Sequence, residues 1–107
     1  MFRVIVPHTV SSNKAGYEFI AGIYPTVIAQ EDKEITIVFD ECDSFDGNLA
    51  SALGAILDTL LSCDFKIWLT RPRAKSVRKV LSRNHFLKAW DVETQIMDKE
   101  EEYLKQL

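Results

Sequence analysis

The chain has only two cysteines, two histidines and four glycines among 107 residues, and each scarcity removes a class of chemistry. Cys42 and Cys63 form neither a Cys-x-x-Cys motif nor a zinc-ligand spacing, so they read as free thiols in a reducing compartment. His8 and His85 lie far apart with no motif around either, which leaves no recognisable Ser/His/Asp or Cys/His set. Gly47 and Gly54 stand alone, so there is no glycine-rich phosphate loop. No run of roughly 18 apolar residues occurs, which removes a membrane-spanning helix. The opening MFRVIVPHTV lacks the apolar stretch of a signal peptide, and a cytoplasmic protein is expected. Together these absences predict no catalytic residue, no cofactor and no metal.

What is present is an ordinary globular composition, 47% hydrophobic and 27% charged, at a length that suits one domain with its own core. The net charge of −3 argues against a protein built around nucleic acid. That small figure conceals a segregation. Residues 1–64 hold three Lys and Arg against ten acids, whereas residues 65–88 hold eight Lys and Arg and no acid. Residues 89–107 return to two Lys against six acids.

Periodicity predicts the order of elements. Phe2, Val4 and Val6 alternate with their neighbours and predict a strand at 2–6. Phe19, Ile20, Ile23, Tyr24, Val27 and Ile28 recur at helical steps across 15–30, with Pro25 predicting a kink or break. The apolar run Ile35–Phe39 reads as a strand buried on both faces of a parallel sheet. Leu49, Ala52, Leu53, Ile56, Leu57 and Leu60 form one stripe of a helix at 48–62. A strand at 65–70, a short helix at 73–83, an edge strand near 90–92 and a terminal helix opening at Asp98 complete the chain. Strands alternating with helices predict a single α/β domain over 1–107, a mainly parallel or mixed sheet of about four strands covered by helices.

Three stretches resemble the STAS domain, the family named for sulfate transporters and anti-sigma factor antagonists. ITIVFD followed by ECDSFDGNLASALGAIL is similar to the family's buried strand, its short acidic loop with Asp-Ser-Ser-Gly-Leu, and the helix after it. FKIWLT running into SVRKVLSRNHFLKAW resembles the next strand and helix, and VETQIMDKEEEYLKQL resembles the closing strand and Glu-rich helix. The likeness covers residues 16–107. It implies a non-enzymatic regulatory module that binds a protein partner, an ATP-binding kinase-like regulator or an anti-sigma factor. Family members open with two strands before the first helix, where this chain offers one convincing strand. The family's phosphorylated serine is matched by Gly47 and Asn48, which carry no hydroxyl, while Ser44 and Ser51 lie nearby.

The residues themselves point to the same place. On the helix at 48–62, Ser51, Gly54, Ala55, Asp58 and Ser62 fall on the side away from the leucine stripe, at about 100° per residue. A face meant for water carries Lys, Glu or Gln; this one is small and lets another backbone approach. The candidate partner-binding set is Asp46, Gly47, Asn48, Ser51, Gly54, Ala55 and Asp58. Its competitor is coverage of this face by a helix of the same domain. The acidic cluster Asp40, Glu41, Asp43 and Asp46 fails the calcium-loop spacing and is expected to cap the helix and complement its dipole. Two alternatives stand beside docking: small-anion or nucleotide binding at that helix start, and weak nucleic-acid binding by the basic helix at 73–83. Self-association is left open.

Overall fold

The computed structural model describes residues 1–83 and 94–97. It is an α/β fold in which every strand pair is parallel. The elements run β1 (Phe2–Ile5), β2 (Thr9–Val10), α1 (Lys14–Ile28), β3 (Glu34–Val38), β4 (Ser44–Phe45), α2 (Gly47–Ser62), β5 (Lys66–Thr70), α3 (Lys75–Arg83) and β6 (Thr94–Met97). β1, β3 and β5 form the heart of the main sheet, in the order β1-β3-β5-β6 with β6 beside β5. β2 and β4 make a separate two-residue pairing.

Such an order dictates where the helices go. Each crossover moves one strand over in the same direction, and right-handed connections then place all their helices on one face of the sheet. Contacts of α1 with α2 and of α2 with α3 fit a single helical layer with α2 in the middle. The register puts Phe2, Ile35 and Ile67 in one row and Val4, Ile37 and Leu69 in the next. Together with Ile20, Ile23, Val27, Leu49, Leu53, Leu57, Leu60, Val77 and Leu81 these residues build the core. β3 and β5 are exposed only at their first residues, Glu34 and Lys66, which is why they read as continuous apolar runs.

Several sequence expectations need correction. Two strands precede α1, because the Thr9–Val10 pairing with Ser44–Phe45 is too short to leave a hydrophobic period. α1 is not broken at Pro25; the helix runs on to Ile28 with Pro25 on its exposed side. The mainly parallel sheet expected from the sequence is found, and all its described pairs are parallel. The last strand lies at 94–97, while the segment 90–92 and the terminal helix expected from Asp98 fall outside the described residues.

Two caps fix α2 in length. Asp46 precedes it with extended backbone, and its carboxylate accepts the Asn48 N–H at 2.8 Å. At the far end the Phe65 N–H reaches the Leu60 carbonyl and the Asp64 N–H reaches the Leu61 carbonyl, both at 3.1 Å. This is a Schellman closure, and it sets Asp64 at φ 66°, a left-handed position that Asp tolerates better than most residues.

Candidate docking surface

The loop that leads into α2 is tied down along its length. The Asp43 N–H donates to the His8 carbonyl at 2.8 Å, and the Asp46 N–H donates to the Val10 carbonyl at 2.8 Å. His8 Nδ1 lies 2.8 Å from the Asp43 carboxylate, both side chains being exposed. Cys42 and Phe45 point inward, and Phe45 packs on Phe39 with ring centres 6.2 Å apart. Burial pushes the Cys42 thiol pKa up, whereas Cys63, at the end of α2, is free and exposed. The loop therefore presents α2 on a fixed base.

Two of its carboxylates, Asp43 and Asp46, are held by partners. The Asn48 N–H, helped by a Ser12 hydroxyl, holds the Asp46 carboxyl below the usual carboxylate range. Asp46 thus occupies the position at the helix start that a bound anion would take. Among the described residues no three His, Cys, Asp or Glu side chains gather to hold a metal ion.

Of the seven sequence-predicted docking residues, six are at least partly exposed. Gly47, Asn48, Ser51, Ala55 and Asp58 are exposed and Asp46 is half-buried. Gly54 is the exception, being buried. The physical reason lies in the width of the covered arc. Leu49, Ala50, Leu53, Gly54, Leu57 and Leu60 are all buried, and at about 100° per residue they span some 140° of the helix. Leu49 borders α1, since a Cβ on Gly16 would approach its side chain to 3.0 Å. Gly54 lies at the opposite edge of that arc, on the flank turned toward α3. Burial of Gly54 fits the competing reading, cover by a neighbouring helix, and the exposed face narrows to Asn48, Ser51, Ala55, Asp58, Thr59 and Ser62.

A second row completes this face and was missed in the sequence. α1 buries Gly16, Ile20, Ile23 and Val27, yet Tyr17 is 55%, Tyr24 36% and Ile28 39% exposed. With Ala21 they repeat the core spacing one residue later. An apolar groove of about 340 Å³ between β1 and α1, lined by Phe2, Val4, Phe19 and Gly22, marks the other flank of α1. Tyr17, Ala21, Tyr24 and Ile28 hence lie on the flank next to α2. Tyr24 and Ile28 were counted with the core stripe because periodicity finds apolar positions without separating two adjacent stripes.

Among the described residues no helix is long and apolar enough to cross a membrane. No family model, no curated protein and no solved structure matches the chain, so function must be argued from this surface.

Proposed function

We propose that the protein is a STAS-like, non-enzymatic interaction module that docks on a protein partner through the Asp46–Asn48 loop, the outward side of α2 and the tyrosine row of α1. One observation carries the reading: a helix face without Lys, Arg or Glu lies beside three exposed large apolar side chains. Tyrosines are the usual anchors of protein interfaces, and small residues beside them let the partner's backbone come close. The pinned loop adds to this, since a rigid surface loses little entropy on binding.

The STAS-like part rests on the resemblance of the acidic loop and its helix. It suggests an ATP-binding kinase-like regulator or an anti-sigma factor as partner, in a cytoplasm that keeps both thiols reduced. With Gly47 and Asn48 in the place of the family's phosphoserine, Asn48 supplies a permanent polar group where a switch would sit.

Ala55→Arg tests the proposal. The wild-type chain is used to capture partners from its host, the captured protein is identified and purified, and its affinity is measured for both forms. Loss of binding at an unchanged melting temperature is expected. Equal binding by the variant overturns the reading.

A further inference from the structure

The basic segment is not absorbed by the docking surface. On α3, Val77 and Leu81 are buried, while Lys75, Lys79 and Arg83 are exposed at four-residue intervals on the opposite side. They form a straight strip about 12 Å long, at about 1.5 Å rise per residue. Arg71 and Arg73, also exposed, extend it ahead of the helix. Among the described residues none of these five makes an ion pair. The loop that carries Arg73 is held by Arg78, whose guanidinium donates to the Pro72 carbonyl at 2.7 Å and the Arg73 carbonyl at 2.9 Å. One arginine of the segment is spent on fixing the others.

We propose that this strip binds an acidic polypeptide segment. The spacing suits it, since same-face side chains of an extended chain repeat at about 6.6–6.8 Å and those four apart on a helix at about 6 Å. Five exposed cations that make no ion pair among the described residues are complementary to clustered carboxylates. The surroundings decide against nucleic acid. The Ser76 hydroxyl donates to the Asp43 carbonyl at 3.2 Å, which sets the acidic loop beside the start of the helix. No aromatic side chain lies among the cations of 71–83 to stack on bases. This inference stands apart from the α2 surface and survives its failure.

The test uses the full chain and a fluorescent peptide of about ten glutamates, read by anisotropy at low and high salt. Binding at low salt is expected, weakened roughly tenfold or more by Lys75→Glu with Lys79→Glu and Arg83→Glu. The milder Lys75→Gln with Lys79→Gln gives an intermediate loss, and Lys14→Glu with Lys33→Glu gives little. Circular dichroism checks that each variant is folded. Absence of peptide binding, or binding indifferent to the α3 changes, overturns the proposal. So does tighter binding of duplex DNA or of phosphatidylserine vesicles than of the peptide, which would assign the strip to those partners.

Discussion

α2 and α3 lie side by side in one helical layer, with buried aliphatic side chains on their inner sides and unlike outer sides. α3 faces outward with Lys75, Lys79 and Arg83, long charged side chains that hold water well. α2 faces outward with Ser51, Ala55, Asp58 and Thr59, which cover little and hold their place closely. The same sequence can therefore furnish a solvated helix when it needs one. That α2 is not furnished so is the argument for contact at its surface. The α3 strip acts at a distance and through salt-sensitive attraction, whereas the α2 and α1 rows act only on touching.

The adjacent pair Gly54 and Ala55 is the sharpest place to break this contrast, because one is buried and the other exposed. Gly54→Arg drives a charged side chain into the flank turned to α3 and is expected to cost about 3 kcal/mol or more of stability. Chemical denaturation followed by circular dichroism measures this. If Gly54→Arg melts like the wild type, α3 does not cover that flank and the full set inferred from the sequence is restored. Leu53→Ala, on the inner side, is expected to cost about 2–5 kcal/mol in the same assay.

One residue further on the expected effect moves from folding to binding. Ala55→Arg should change stability by less than about 0.5 kcal/mol and weaken the partner by about 2 kcal/mol. Tyr24→Ala should weaken it by a smaller margin, again with little change in melting. Calorimetry on the purified partner reads both. If Tyr24→Ala binds normally while Ala55→Arg does not, the surface belongs to α2 alone.

The sequence went far with the core and less far with the face. Strands β3 and β5 were legible because burial on both sides writes unbroken β-branched and aromatic runs. α2 was legible because its leucines leave one stripe. β2 and β4 were not, since two residues cannot show a period and their pairing joins positions 35 apart. Gly54 was misplaced for a related reason: side-chain size says nothing of which flank a neighbour covers. Tyr24 and Ile28 were hidden by success, their apolar character being already explained by the core of α1, and Tyr17 carried no signal of its own. Arg78 shows the converse, a cation of the basic helix that serves the backbone of the preceding loop.

The smallest expected effect lies at the cap, and its sign follows from the chemistry. Asp46 has its pKa lowered in the folded chain, first by the Asn48 N–H and then by the Ser12 hydroxyl. A lowered folded-state pKa means the charged form stabilises the fold at pH values above the unfolded pKa. That contribution is lost as pH falls through the folded value. Asp46→Ala should lower the melting temperature by a few degrees at neutral pH, and the gap from wild type should close in acid. Asp46→Asn keeps a capping oxygen without a charge, so it should melt close to wild type at neutral pH with a flatter acid limb. The cap also orients Gly47 and Asn48, so both variants discriminate between two uses of this carboxylate. If Asp46→Asn preserves folding and still weakens the partner, the charge is read by the partner as well as by the helix. If it preserves both, Asp46 only builds the platform, and recognition begins at Asn48.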